Sequence, residues 1–443
     1  MLIPNDIRCP YRIKGHRHVS ILLNFSLGYV IGQAINDRPE AMQNRPLARN
    51  ALLLGIVVNL GLLGYFKYAG FISENTNAVL VAMGAGALVP VLKVTLPLGI
   101  SFFAFQGISY LMDIYRGDIR PTNNLFTFAT YKAMFPQLIA GPIVRYADVV
   151  NDMGDRRVAS DEVFAGIGRF CRGLAKKVLI ADTMAQSADA IFALSGSELG
   201  TSVAWLGVIA YTLQIYFDFS AYSDMAIGMG RMMGFKYPEN FDHPYTASSI
   251  RDFWRRWHMT LSSWFRDYVY ISLGGNRLGP IRTYANLLII FFLTGLWHGA
   301  SWTFVAWGLW HGAFMILERR FNPDGWPMPV ALRRVYTLIV VMIGWVLFRA
   351  DTFAGAGKML RAMFGMQGSS DSQLPLAAFT DPVVLGTLIA GVIFSMPAYD
   401  WVRRRVPDFW SLPGHVVGAF VLVSLASMKV LSGAYSPFLY FRF

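Results

Sequence analysis

Hydrophobic runs long enough to cross a bilayer recur along the chain, separated by short basic or Gly/Ser-rich segments. About 20 apolar residues cross roughly 30 Å of hydrocarbon as a helix. On that ruler the candidate spans are 19–36, 51–72, 95–112, 203–219, 335–348, 382–399 and 409–428. Segment 77–92 is shorter, rich in Gly and Ala, and reads as a short, broken or re-entrant helix. Segment 125–144 carries Pro136 and Pro142, which argue against a continuous helix. Broken backbone at membrane depth must be buried in protein or line a wet cavity. Segment 161–182 is amphipathic, with Arg169, Arg172, Lys176 and Lys177 on its polar side, and reads as a surface helix. The polar stretch 183–202 reads as a loop. From 283 to 317 there is no Asp, Glu, Lys or Arg. One straight helix of that length would run to about 50 Å, so the run must tilt strongly or break. Gly295 and Gly299 flank His298 and place the break there. The pattern predicts about ten membrane segments.

Composition agrees. The 443 residues are 54% hydrophobic and 15% charged, where a soluble domain carries about a quarter charged residues. The expectation is an all-α polytopic membrane protein. The net charge of +12 suits basic loops that set orientation. No nucleic-acid module accompanies it. The basic lead Arg8, Arg12, Lys14, Arg17 places the N-terminus in the cytoplasm, and no signal-peptide pattern follows. Cys9 and Cys171 are far apart and lack ligand spacing, so no metal site is expected.

The densest aromatic stretch runs from Arg251 to His311. Taken as a helix, 251–270 puts Trp254, Trp257, Leu261, Trp264, Phe265 and Tyr268 on one stripe, with His258 inside it. Arg255, Ser262 and Arg266 fall on another side. An ionisable group at membrane depth is costly and marks a candidate site. His298 is the stronger candidate. An imidazole, with its reference pKa of about 6.5, can take a proton from a hydroxyl near neutral pH, which is what activating an alcohol requires. The plainer alternatives are an interfacial histidine for His258 and a packing histidine for His298. His311 lies more than about 200° further round an unbroken helix, away from His298, and reads as structural. No nucleophile elbow, Walker A loop, Rossmann fingerprint or HExxH is present.

Six stretches carry a family resemblance: LPLGISFFAFQGISYLMDIYRG (96–117), FPQLIAGPIVR (135–145), YFDFSAYSDMAIGMGRMMGF (216–235), NFDHPYTASSIRDFWRRWHMTLSSWFRDYVYISLGGNR (240–277), LTGLWHGASWTFVAWGLWHG (293–312) and the terminal FLYFRF (438–443). In this order they resemble the membrane-bound O-acyltransferases, in the bacterial branch that O-acetylates exported polysaccharides such as alginate. The resemblance implies a single integral-membrane domain over 1–443, with its motif core at 90–315. It implies a helical bundle with a central funnel. His298 matches the family's catalytic histidine. His258 matches a second polar position, which is Asn in many eukaryotic members. Family members usually begin with further hydrophobic helices, whereas this chain opens with MLIPNDIRCPYRIKGHRH. The expectation is either a wrongly assigned start or a truncated set of N-terminal helices.

The expected reaction is therefore acetyl transfer to a hydroxyl in the bacterial inner membrane. His298 would be the general base, and His258 would position or polarise the donor thioester. Trp297, Trp254, Asp252, Arg255, Arg256 and Trp257 would line the site or bind the donor, the two arginines attracting its phosphates. No bound cofactor is expected. Acetyl-CoA or another acetyl thioester would be the donor, and an exported polysaccharide the acceptor. Periplasmic SGNH-type proteins would be partners, alongside membrane lipids, with no nucleic acid. Two alternatives stay open: D-alanyl transfer to teichoic acid, and a transporter or flippase. An inverted hydropathy repeat would favour the transporter, and none is visible.

Overall fold

The computed structural model describes residues 14–35, 43–138, 140–154, 158–321, 328–368, 372–398, 401, 404–405 and 408–433. The terminal motif 438–443, the first thirteen residues and the centre of the Gly/Ser-rich loop 367–373 lie outside them. Regular structure is helical, with no strand among the described residues. Among the described residues four helices are long and apolar enough to cross a membrane by length and composition. The chain divides into two compact units, 1–157 with 235–237, and the remainder.

The first unit holds α1 (Lys14–Ile35), α2 (Arg45–Ala82), α3 (Ile100–Arg116) and α4 (Leu125–Ala133). Helix α2 is 38 residues long and runs through the first part of segment 77–92. That segment is therefore no separate helix. Asn77 explains the return: its side chain donates to Val89 O at 2.7 Å and accepts from Val89 N at 2.9 Å. Asn24 and Asn59 exchange amide hydrogen bonds of 3.2 and 2.8 Å between α1 and α2. Gly107 of α3 fits against this pair, because a Cβ there would lie 2.8 Å from Asn24 Nδ2. Segment 125–144 is interrupted as its prolines predict. After α4 the chain makes a 3₁₀ turn at Phe135–Gln137, and residues 140–145 are without helix. Its polar backbone is met from inside. Gln137 Nε2 donates to Tyr131 O at 2.6 Å, and Tyr131 Oη donates to Val144 O at 3.1 Å.

The second unit begins with α5 (Ser160–Ala175), a π-helical turn (Lys176–Ala181) and α6 (Asp182–Ala193). The expected loop 183–202 is thus helical for most of its length. Segment 161–182 is amphipathic but not a surface helix. It lies along α7 (Thr201–Met232), and glycines let the backbones approach. A Cβ on Gly166 would sit 2.7 Å from Gly228 O, and one on Gly173 would sit 2.7 Å from Ala221 O. Helix α7 continues past Asp218, where the hydropathy reading stopped, because its acids are neutralised from α5 and the π turn. Lys177 Nζ lies 2.7 Å from both Asp182 Oδ1 and Asp218 Oδ1, all three side chains buried. Arg169 and Lys176 hold Asp224 at 3.0 and 2.6 Å.

The remaining elements are α8 (Ile250–Arg256), α9 (Met259–Phe265), α10 (Gly279–His298), α11 (Trp302–Phe321), α12 (Val330–Arg349), α13 (Phe353–Met363), α14 (Pro382–Ser395) and α15 (Asp408–Leu431). The run 283–317 breaks where its glycines predict. Helix α10 ends on His298, Gly299 caps it in extended conformation, and α11 restarts at Trp302. The two helices fold back as a hairpin. A Cβ on Gly295 would lie 2.4 Å from Phe304 O, and one on Gly308 would lie 2.1 Å from Phe291 O. The core of this unit is aromatic: Tyr216, Tyr245, Phe253, Trp257, Trp307 and Trp345 are buried together.

Two substitutions test these contacts. Gly308→Ala should lower stability by about 1–3 kcal/mol, the usual cost of overpacking, read as a lower thermal midpoint in detergent. Gly61→Ala, with nothing within 4 Å of the new Cβ, should leave the midpoint unchanged. Lys177→Met strands two buried carboxylates and should cost about 3–5 kcal/mol. Adding Asp218→Asn should recover part of that loss, and an additive double variant would refute the pairing.

Candidate functional site

The stretch 251–270 is not one helix. It breaks between α8 and α9 at His258, whose backbone is left-handed (φ 44°). His258 and His243 (φ 43°) are the two non-glycine residues with positive φ among those described. Such a conformation is uncommon outside glycine and is held by its surroundings. Here the holder is the connector after α7. Asp242 N donates to Arg256 O, and Met259 N donates to Asn240 O, both at 3.0 Å, on either side of the break. The Asn240 side chain completes the clasp. Its Oδ1 accepts from Thr260 Oγ1 at 2.9 Å and Thr260 N at 3.3 Å, and lies 3.0 Å from His258 Nδ1. Its Nδ2 donates to Ser223 Oγ at 3.0 Å.

Helix α8 is seated from the other end by Glu318. This buried carboxylate, at the end of α11, accepts from Ile250 N at 2.6 Å and Arg251 N at 3.0 Å. It supplies the negative charge a helix N-terminus favours.

The break puts His258 in the protein interior, at 0% exposure. Its ring meets Phe219 edge-on at 4.6 Å and Trp297 at 5.9 Å. Trp297 in turn meets His298 at 4.9 Å. The two imidazoles therefore lie within about 11 Å of each other, both packed against one indole. His298 is 8% exposed and is walled by Trp307 at 5.0 Å and Phe348 at 5.2 Å. Burial holds the His258 imidazole well below the usual histidine range, so it is neutral.

The other expected residues divide. Trp297 packs against both histidines. Trp254 lies one layer back, 5.8 Å from Trp307 and 5.3 Å from His311. Trp257 stacks on Phe253 at 5.6 Å and meets Trp345 at 4.9 Å, so it is core. Asp252 accepts from Arg256 Nε at 3.0 Å and Ser248 N at 3.4 Å. Arg256 is also 3.4 Å from Asp242 Oδ2, which engages the guanidinium with two carboxylates. Arg255 is exposed on the outer face of α8. The structure does not bring the two arginines to the histidines. His311 is nearer the site than an unbroken helix would put it. The hairpin sets Trp307 between His298 and His311, at 5.0 and 5.4 Å. His311 stays fully buried against Phe253.

Sequence reasoning missed Asn240 and Glu318. The signal for Asn240 was its place two residues before Asp242-His243-Pro244, a turn the sequence does show. A cavity of about 120 Å³ adjoins the clasp, lined among others by Arg169, Lys176, Tyr216, Ser220, Asp224 and Asn240.

Comparison with known proteins agrees with this site. A family model described as the membrane-bound O-acyltransferase family matches residues 118–323, which include His258 and His298. The chain is 42% identical to the probable alginate O-acetylase of Azotobacter vinelandii, over 95% of this chain and 89% of that protein. It is 43% identical to the probable alginate O-acetylase of Pseudomonas putida, with the same coverage. It is 33% identical to the peptidoglycan O-acetyltransferase of Helicobacter pylori, over 96% of this chain and 86% of that one. Similarity of this depth and extent, on an all-helical fold with apolar spanning helices, makes the protein a membrane acyltransferase: the chain belongs to the membrane-bound O-acyltransferase family.

Proposed function

We propose that this protein moves an acetyl group from a thioester donor to a hydroxyl of an exported polysaccharide, working as a multi-pass protein of the bacterial inner membrane. The observation that carries the reading is the pair of buried histidines packed against Trp297 in a member of this family. The relatives named for alginate and peptidoglycan O-acetylation support a polysaccharide acceptor. The family likeness supports a cytoplasmic donor, acetyl-CoA or another acetyl thioester, and periplasmic SGNH-type proteins as partners that receive the group.

In the reaction the acceptor oxygen attacks the thioester carbonyl carbon. His298 takes the hydroxyl proton as the new C–O bond forms. The C–S bond then breaks, and the proton passes to the departing thiolate sulfur. His258, packed against the same Trp297, orients the reacting groups. The aromatic walls exclude water, which would otherwise hydrolyse the thioester.

His298→Ala should abolish O-acetylation of secreted polysaccharide in a deletion strain, while the membrane level of the protein stays normal. Removal of a positioned general base costs about 10²–10⁴-fold. Acetate restored to wild-type content by the variant would sink the assignment. D-alanine esters in place of acetate would move the protein to the teichoic acid reaction. Trp297→Leu should keep the fold but reduce transfer, because it removes an indole that meets both imidazoles. Unchanged transfer would separate the two histidines functionally.

A further inference from the structure

The hydrogen bonds around Asn240 determine more than the position of His258. Thr260 N is a backbone N–H and can only donate, so the Asn240 atom facing it at 3.3 Å is the carbonyl Oδ1. The amide nitrogen then donates to Ser223 Oγ at 3.0 Å, a hydroxyl that can accept it. Oδ1 is therefore an acceptor toward every neighbour. His258 Nδ1, 3.0 Å away, must carry a proton to make that contact attractive. A neutral imidazole has one N–H, so Nε2 holds a bare lone pair. That nitrogen is buried and has no hydrogen-bond partner among the described residues.

We infer that Asn240 is a positioning residue that locks His258 in its Nδ1–H tautomer, so that Nε2 meets the reacting groups as a hydrogen-bond acceptor. This deepens the acyl-transfer reading and rests on it. It also narrows the role of His258. Polarising a thioester carbonyl needs an N–H aimed at its oxygen, and this tautomer has none to give. Its lone pair can instead hold a substrate N–H or O–H, such as the acceptor hydroxyl or an amide of the donor's arm. The left-handed backbone at 258 serves the same end, since it turns Nδ1 toward the connector.

Titratable groups reach this region from each packed element. Asp224 on α7 is tied to Arg169 and Lys176. Glu239 and Asp242 on the connector are tied to Arg169 and Arg256. Asp252 on α8 is tied to Arg256, and His298 on α10 lies across Trp297. Each of these carboxylates already holds a cation, so Asn240 faces His258 as a neutral acceptor. A carboxylate in its place would favour the imidazolium.

The test has two arms on the full chain in lipid nanodiscs. In the first, nitrogen-15 NMR of histidine-labelled protein reads the tautomer, with the His258 signals assigned by their loss in His258→Gln. The expected spectrum has Nδ1 protonated and Nε2 bare in the wild type, and a mixture of tautomers in Asn240→Ala. A protonated Nε2 in the wild type overturns the inference. This readout needs no turnover. An inactive wild type with Nε2 bare would count against acyl transfer and leave the role of Asn240 standing.

In the second arm, Asn240→Asp keeps the shape but adds a charge. The folded-state pKa of His258 rises, so its lone pair is lost as pH falls through a higher value. The acid limb of acetyl transfer should move up by about one pH unit or more, at an unchanged amount of folded protein. A variant that only loses folded protein, with its pH profile in place, would show a purely structural role and overturn the inference. Asn240→Gln, which keeps a neutral carbonyl acceptor, should retain the wild-type profile.

Discussion

Everything at the centre of this protein depends on how closely two backbones can approach. Helices α10 and α11 meet at Gly295 and Gly308, where a single methyl group would collide with a carbonyl oxygen at 2.4 or 2.1 Å. That contact turns an apolar run too long for one span into a hairpin. It also leaves His298 as the last residue of a helix, with Trp297 and Trp307 against it. Without the hairpin His298 would sit in the middle of a helix and His311 would point elsewhere. The glycines are thus the means by which an ionisable group is delivered to a dry aromatic interior.

A second constraint is the cost of buried charge. Helix α7 carries Asp218 and Asp224 through the interior, and each is met by a cation from the α5 side. An isolated ion in such a place would cost several kcal/mol, so the pairs are a condition for the helix to exist at its full length. The histidine region follows the opposite strategy. Its walls are aromatic, and burial disfavours the charged form of His258. A neutral imidazole at 258 suits a site that must keep charge out. One unit therefore holds two kinds of buried titratable group: compensated ions along α5 and α7, and the uncharged His258 beyond them.

Legibility in the sequence follows from whether the cause is local. The break at Gly299 was readable because length and glycine placement both sit within the run itself. The interruption at Pro136 and Pro142 was readable for the same reason. The break at His258 was not. The apolar stripe from Trp254 to Tyr268 passes straight through it, and its cause is Asn240, eighteen residues earlier. The extension of α7 past Asp218 was hidden because its partner Lys177 lies 41 residues away. The helix over 182–193 was hidden by polar residues that a loop would also carry. The ion pair of Arg256 with Asp242 was likewise hidden, because its partner comes from another element fourteen residues earlier.

The site's two halves are built by unrelated means. His298 is placed by steric contact between glycine-bearing helices, His258 by hydrogen bonds from a connector to a strained backbone. Trp297 meets both rings, and it belongs to the same helix as His298. The distance between the imidazoles is therefore set by where the α8–α9 break rests against α10, not by either half alone. Glu318 matters for this reason. It ties the start of α8 to the end of α11, so the element that carries His258 is anchored to the hairpin that carries His298. An acid at the far end of a long apolar run, which reads in sequence as the return to water, is in the fold the link that keeps two histidines in register.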